Sequence, residues 1–305
     1  MRLAQCFGRG GTWGGGILMA YENVPENKRS FYAAIPQIGL PIGFGLSSIL
    51  IAVPTLLLPE DIFFTWGWRI PFLAAIILTV IVIRQKGEMM ETEDYKKAQA
   101  KLEAEEAEGK KHKVGFIPMV KGYWKTLLLG CGTRWVDGTF YNIFIVWILS
   151  YCINWLGMPL IQTYIITIIA CIFKIPFTLF GGWCAQKLGN TRTFVIGALA
   201  SAVLSIPTLK VIELSKGNLA ITIIGIVLGW SIAYNLIWAV ISSLWSSYFE
   251  TEVRYSGISF VYHVPSFLVA GMVPTICTLL INYGKGDTIY VGTVSYTHLT
   301  LPTKR

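Results

Sequence analysis

Two residues of opposite charge, Arg134 and Asp137, stand three positions apart in a long apolar stretch, and Lys174 stands in the next one. Residues at this spacing share one face of a helix. In a membrane each such charge costs about 2.5 to 3.5 kcal/mol on insertion scales, so each should face protein or a water-filled cavity and find a partner. Two interpretations stay open. Either Arg134 or Lys174 neutralises Asp137 in a structural ion pair, or Asp137 alternates between protonation states while one of the cations binds an anionic substrate.

Further polar residues lie within the apolar stretches. His263, close to Pro265, either relays protons or is a satisfied interior histidine. Uncharged polar side chains that would line a cavity between helices are Gln37, Tyr141, Asn142 and Asn235.

The sequence carries no motif typical of an enzyme or of a cofactor site. It lacks the His-Glu-x-x-His zinc motif and the Gly-x-Ser-x-Gly nucleophile turn. The six cysteines show no Cys-x-x-Cys spacing and lie in or beside apolar segments, where they act as small buried hydrophobes. We therefore expect no enzyme activity, no metal site and no cofactor.

The elements that position these residues are apolar segments long enough to cross a bilayer. The chain is 54% hydrophobic and 14% charged, against about 25% charged in soluble domains. Windows of 18 to 25 residues without charge predict transmembrane helices. The predicted segments are residues 3–21, 31–58, 66–84, 124–155, 160–181, 193–211, 219–243 and 257–281. The fold class is therefore an all-α polytopic membrane protein, whose net charge of +8 requires no nucleic-acid partner.

Glycines four residues apart mark the first segment, at Gly10 with Gly14 and at Gly11 with Gly15. A helix face without side chains lets a second helix approach closely. We expect close helix packing there.

Residues 84–123 separate three predicted spans (1–83) from five (124–292). They hold nine basic and eight acidic residues, which indicates a solvated linker outside the hydrocarbon. Counting Lys and Arg over alternating loops gives 15 on the side of this linker and 4 on the other, which predicts that the linker is cytoplasmic. Residues 293–305 are polar and look like a translated adapter, so we exclude most of them from fold reasoning.

Several stretches together resemble the metabolite:proton symporters of the major facilitator superfamily, a group that includes shikimate, alpha-ketoglutarate and proline-betaine permeases. Residues 66–72 (Trp-Gly-Trp-Arg-Ile-Pro-Phe) and 252–257 (Glu-Val-Arg-Tyr-Ser-Gly) are the most specific. Residues 2–15 and 30–39 are similar to the fourth and fifth helices of that family. Residues 182–192 are similar to a cytoplasmic motif, in which Gln186 stands where the family pattern has Asp. Two further positions, Cys6 and Thr12, also depart from the family pattern.

The resemblance implies helices four to eleven of a twelve-helix fold, a fragment whose partners include its own missing helices. It implies proton-coupled symport of a small polar metabolite, an organic acid or a zwitterionic osmolyte, across the bacterial inner membrane by alternating access. Facilitated diffusion and a non-transporting receptor or scaffold are the alternatives. The resemblance gives gate or packing roles to Gly182, Gln186, Lys187, Gly189, Arg192 and Arg254. It also implies that the fragment alone does not transport.

Overall fold

A computed structural model of the protein describes residues 12–86, 100 and 116–300, and every regular element within these ranges is a helix. The predictions for residues 1–11, Gly10 and Gly11 among them, and for most of the linker lie outside the described residues. The all-α fold class is confirmed.

The α-helices are α1 (Thr12–Glu22), α2 (Arg29–Ala34), α3 (Gly39–Leu57), α4 (Glu60–Thr65), α5 (Ile70–Lys86), α6 (Phe116–Gly122), α7 (Trp124–Tyr141), α8 (Ile148–Asn154), α9 (Leu160–Leu188), α10 (Asn190–Leu214), α11 (Leu219–Ile226), α12 (Asn235–Ser246), α13 (Thr251–Tyr283) and α14 (Ile289–Thr300). Short 3-10 turns lie between α1 and α2 (Glu26–Lys28), between α2 and α3 (Pro36–Ile38) and between α4 and α5 (Gly67–Arg69).

Two segments of π-helix, each inside a membrane-length helix, interrupt the regular hydrogen bonding. The first π segment (Asn142–Trp147) joins α7 to α8, and the second π segment (Val227–Ala233) joins α11 to α12. The Asn142 side chain donates to the backbone carbonyl of Gly138 at 2.7 Å, where the first π segment begins. Such segments are frequent at functional sites, because they shift the side chains that follow around the helix axis.

Within the described residues, six helical stretches are long and apolar enough to cross a membrane. They are Glu26–Leu57, Trp124–Asn154, Leu160–Leu188, Asn190–Leu214, Leu219–Ser246 and Thr251–Tyr283. A shorter apolar stretch, Gly67–Ile81, matches the third predicted segment, and α1 covers the described part of the first.

The helices pack around α9, which contacts α3 and α2 on one side and α12 on the other. Glycines make these contacts close: a Cβ atom at Gly182 would lie 2.7 Å from the Cβ of Ala34, and one at Gly181 would lie 2.6 Å from the Cβ of Ala239. Helix α13 packs along α7, and α12 along α10. The largest fully buried side chains include Trp230, Trp245 and Tyr234. The dense core therefore lies in residues 119–294.

Two predicted boundaries differ from the structure. The predicted segment 160–181 ends too early, because α9 continues to Leu188 and only Gly189, with φ of +90°, separates it from α10. Gly182 to Leu188 are small or amphipathic enough to extend a helix whose first half is apolar, so the polar residues mark its end rather than a loop. Helix α14 runs across the boundary placed between residues 292 and 293.

Candidate functional site

The centre of the described helices holds a fully buried carboxylate, Asp137, on α7. Its Oδ2 atom pairs with the Nη1 atom of Arg134, one helical turn earlier. Its Oδ1 atom accepts a hydrogen bond of 2.7 Å from the hydroxyl of Tyr234, at the end of the second π segment. One oxygen therefore has a charged partner and the other a neutral one, and the two partners come from different helices.

The guanidinium of Arg134 is held on its other side by α13. Its Nε atom donates to the hydroxyl of Ser266 at 2.9 Å. Its Cζ atom lies 4.1 Å from the centre of the Tyr262 ring, in the arrangement of a cation–π contact. The ion pair therefore joins α7 to α13.

Lys174, on α9, is fully buried beside this pair but does not join it by a hydrogen bond. Its Nζ atom lies 4.5 Å from the ring centres of both Trp230 and Tyr234. In the part of the chain that the structure describes, Nζ has no hydrogen-bond partner. Tyr234 thus contacts both charges, since its hydroxyl bonds Asp137 and its ring covers Lys174.

The backbone of α9 at Lys174 is fixed by α12. Asn235 donates from Nδ2 to the Lys174 carbonyl at 2.8 Å, and Thr178 donates to the same carbonyl at 2.9 Å. Asn235, one of the predicted cavity residues, therefore adjoins the charges by holding the backbone at Lys174.

Two of the other predicted cavity residues, Gln37 and Asn142, have hydrogen-bond partners other than Asp137. Gln37 is buried and exchanges hydrogen bonds with Trp238, donating to its carbonyl at 3.4 Å and accepting from its indole at 3.1 Å. Asn142 bonds its own helix, as described above. Tyr141 packs edge-on against Phe44 of α3, with ring centres 6.3 Å apart.

His263 is half-buried on α13 and packs edge-on against its neighbour Tyr262, with ring centres 5.0 Å apart. Its ring therefore lies one residue away from the aromatic face that holds Arg134. It contacts the charged centre through Tyr262.

Two polar contacts tie the first helices to the later ones at one end of the bundle, which we call the Gln186 end. The Gln186 side chain donates to the carbonyl of Asn27 and accepts from the backbone N–H of Phe31 at 3.3 Å. Arg254 pairs with Glu22 through Nη1 at 2.7 Å. Gln186 stands where the family pattern has a charged Asp, yet an amide can both donate and accept a hydrogen bond, and here it does both.

The remaining motif residues divide into packing and surface positions. Lys187 and Arg192 are exposed, and Gly189 ends α9. Gly182 has no side chain, so α2 packs closely against α9 at this position. In the first segment Gly14 packs against α13, since an added Cβ would lie 3.3 Å from the Ser259 hydroxyl oxygen. Gly15 has open space around it. Of the two, only Gly14 therefore packs closely against another helix.

A separate cavity of about 220 Å³ opens between α8 and α13. Its lining is Trp147, Ser150, Tyr151, Asn154, Trp155, Thr278, Ile281 and Asn282. None of the charged residues of the centre lines it.

Sequence reasoning missed three residues of this arrangement: Trp230, Tyr234 and Glu22. Trp230 and Tyr234 are four apart on an apolar helix, a spacing that places two rings on one face but does not distinguish a binding surface from an ordinary core. Glu22 directly follows the predicted segment 3–21, and this position marks it as an interfacial charge.

Comparison with known proteins places the chain in a family. Residues 1–274 match the model of the Major Facilitator Superfamily. The chain belongs to the Major Facilitator Superfamily. The major facilitator fold is also seen in the crystal structure of a D-xylose-proton symporter, which matches 94% of the chain with a TM-score of 0.66 at 15% identity and is itself covered over 66%.

Curated relatives in the superfamily are transporters, not enzymes. The inner membrane metabolite transport protein YhjE of Escherichia coli is 29% identical over 93% of this chain and 64% of that protein. The shikimate transporter of Escherichia coli is 27% identical over 94% and 64%, and the proline/betaine transporter of the same species is 27% identical over 92% and 56%. The chain thus spans about 64% of the length of the first two. With its apolar helices, it is a multi-pass inner-membrane protein of the bacterial type.

Proposed function

We propose that the chain is the larger part of a secondary transporter that couples proton movement to uptake of a small polar metabolite. The observation that carries the proposal is the environment of Asp137, a buried carboxylate between one cation and one hydroxyl. An ionisable residue inside a membrane protein is expensive, and in transporters such residues mark ion and substrate pathways.

The coupling chemistry follows from the two partners of Asp137. While the carboxylate is charged, it neutralises Arg134. A proton on Asp137 removes that attraction and leaves Arg134 and Lys174 with an excess of positive charge, which an anionic group of the substrate neutralises. When the substrate leaves, the excess positive charge favours release of the proton. Each direction of movement then carries a proton with the substrate.

Substrate classes come from the relatives. One is named for shikimate and others for proline and betaine, which are small and polar. We propose an organic acid or a zwitterionic osmolyte, bound near the midplane between two halves that rock around it. The chain would supply the equivalents of helices four to eleven.

The test is uptake by proteoliposomes that hold the intact gene product, with shikimate, proline and glycine betaine as labelled probes and an imposed inward proton gradient. We expect accumulation of at least one probe above its external concentration, and loss of that accumulation when a protonophore is added. Equilibration without accumulation, unchanged by the protonophore, would contradict coupling.

The second candidate is facilitated diffusion. The observation that favours it is that both oxygens of Asp137 already have partners, as a purely structural ion pair would. Under this alternative, the probes equilibrate at the same rate at any proton gradient.

We propose in addition that the Gln186 end and residues 84–123 face the cytoplasm. The count of basic residues supports this orientation. A cysteine placed in residues 91–113 should resist a membrane-impermeant thiol reagent added to intact cells. Ready labelling from outside would reverse the topology.

A further inference from the structure

Two buried hydrogen-bond donors beside Asp137 have no acceptor within the described residues: the Nζ atom of Lys174 and the Nε1 atom of Trp230. Both side chains are fully buried. They are also neighbours, since Nζ lies 4.5 Å from the centre of the Trp230 ring. Buried polar groups nearly always have partners, and a pair of adjacent exceptions needs an explanation.

The charges of the centre are unequal in number. Arg134 and Lys174 are cations, and Asp137 is the carboxylate between the helices that carry them. Its oxygens are already used by Arg134 and Tyr234. Lys174 is left with the ring faces of Trp230 and Tyr234 as its contacts, and its ammonium has no hydrogen-bond acceptor within the described residues. A buried charge is costly unless it is both paired and hydrogen-bonded.

Neighbouring groups hold the backbone of Lys174 and cover its side chain. The carbonyl of Lys174 is fixed by Asn235 and Thr178, so its helix turn is held in place. Trp230 and Tyr234 flank the ammonium from one helix, 4.5 Å away each. From the first helices, α3 closes over this region, with Gly45 in contact with Cys171 one turn before Lys174.

We propose that Lys174 and Trp230 form an anion subsite for the carboxylate of the substrate, with one oxygen accepting from Nζ and the other from the indole Nε1. The subsite rests on the proposed transport function and deepens it. One cation and one neutral donor match a single negative charge. A dianion such as phosphate would bring a second, unpaired charge into a desolvated site.

Tyr234 links this subsite to Asp137. Its ring is part of the wall around Lys174, and its hydroxyl is one of the two partners of the carboxylate. A substrate carboxylate draws Lys174 or Trp230 toward it. This movement shifts the contacts of the Tyr234 ring, whose hydroxyl donates to Asp137. Occupancy of the subsite and the protonation of Asp137 are therefore coupled through one side chain.

The test measures binding by the 305-residue chain in lipid nanodiscs, with acetate as the carboxylate probe and acetamide as its uncharged match, by saturation-transfer NMR on the probe methyl group. We expect saturable binding of acetate and much weaker binding of acetamide. Lys174→Met should weaken acetate at least about tenfold, and Trp230→Phe, which keeps a ring but removes the donor, about threefold or more. The matched controls are Lys125→Met and Trp183→Phe, both at exposed positions, and they should bind acetate as the parent does.

Thermal unfolding gives a second readout that does not depend on weak binding being visible. Replacing a buried unpaired charge by an apolar side chain often stabilises a protein. Without acetate, Lys174→Met should unfold at a higher temperature than the parent chain. Acetate should raise the unfolding temperature of the parent and leave that of the variant unchanged.

Three results would overturn the subsite: no saturable acetate binding by the parent, equal binding of acetate and acetamide, or unchanged acetate affinity in Lys174→Met. The failure of coupling is a different result. If Lys174→Met loses acetate while Asp137→Asn still accumulates substrate against its gradient, the subsite stands and the coupling role of Asp137 falls. If Lys174→Met keeps acetate while Asp137→Asn loses accumulation, the reverse holds.

Discussion

Tyr234 contacts two of the three charged residues of the centre, Asp137 and Lys174. Its hydroxyl donates to Asp137 at 2.7 Å, and its ring lies 4.5 Å from the ammonium of Lys174. The hydroxyl contacts Asp137 and the ring contacts Lys174, so a substitution that removes only the hydroxyl can separate the two contacts.

Tyr234→Phe removes the hydroxyl and keeps the ring. One oxygen of Asp137 then loses its donor in a buried site, which should lower the free energy of unfolding by about 1 to 3 kcal/mol. Acetate affinity at Lys174 should stay within about threefold of the parent. Thermal unfolding and probe titration measure the two effects, with Tyr283→Phe, an exposed tyrosine, as the control. Loss of acetate binding without loss of stability would show that the division between hydroxyl and ring is wrong.

A second cluster of charged residues lies where α10 meets the turn before α14. Lys210 donates to Asp287 at 2.7 Å and to Glu213 at 3.0 Å, and Glu213 accepts from the backbone and hydroxyl of Thr288. The hydrogen bond from Lys210, followed by that from the Ile289 N–H, holds the pKa of Asp287 below its ordinary value. A carboxyl with a lowered pKa in the folded state stabilises it above the unfolded pKa of about 3.9 and loses that contribution as pH falls through the folded value.

Asp287→Asn should therefore lower the unfolding temperature at neutral pH, and the difference from the parent should shrink as pH falls below about 4. Unfolding of both proteins in nanodiscs across this pH range measures it. Lys285 lies two residues away on the same turn, and Lys285→Gln, which leaves Asp287 intact, serves as the control. A difference that stays constant with pH would contradict the role of the Asp287 charge.

At the scale of elements, the two π segments touch. A Cβ atom at Gly229 in the second segment would lie 2.4 Å from a ring carbon of Phe144 in the first. The glycine is required by this approach, because the contact is with a fully buried ring that has no room to move.

Gly229→Ala should destabilise the protein by about 1 to 3 kcal/mol, as overpacking does in cores. Gly271→Ala on α13 is the matched control, since a Cβ atom there meets nothing within 4 Å. Comparing the unfolding temperatures of the two variants checks the prediction. Equal temperatures would mean that the π segments do not pack as described.

The sequence predicted the elements better than their irregularities. Uncharged windows of 18 to 25 residues fixed the spans, because in a bilayer backbone groups must be satisfied within a helix. The sequence pattern did not predict the π segments, since a one-residue widening of a helix leaves the apolar pattern unchanged. The end of α9 was placed early, because polar residues after Gly181 were taken as a loop when they extend the same helix.

The site followed the same division. The pairing of Arg134 with Asp137 could be predicted, because residues three apart on a helix must be neighbours. The contacts of Lys174 with Trp230 and Tyr234 join residues more than 50 positions apart in the chain, and no local spacing predicts which helices lie side by side. That Gln37, Tyr141, Asn142 and Asn235 line one cavity stays a prediction, although the hydrogen bonds of Gln37 and Asn142 go to Trp238 and Gly138.

At the scale of the whole molecule, the Gln186 end joins the first helices to the later ones. The Glu22–Arg254 pair there is largely buried, with 4% and 12% of the two side chains exposed. Removing one partner of a buried pair leaves an uncompensated charge and costs about 3 to 5 kcal/mol.

Glu22→Gln and Arg254→Gln should each destabilise the protein strongly, and the exchange of Glu22→Arg with Arg254→Glu should recover part of the loss. Glu26→Gln, which removes an exposed ion pair with Arg29, should change stability by less than about 1 kcal/mol. Chemical unfolding in detergent measures all four. An exchange that is no better than the single variants would show that the pair does not join these helices.

The central claim is that Asp137 couples protons to substrate. The most direct measurement compares uphill accumulation with substrate exchange in proteoliposomes that hold the intact transporter carrying Asp137→Asn. The amide keeps the shape and the hydrogen bond from Tyr234 but cannot change its charge at physiological pH. We predict that accumulation driven by a proton gradient is abolished while exchange of labelled for unlabelled substrate persists. Accumulation at the level of the parent protein would contradict the claim.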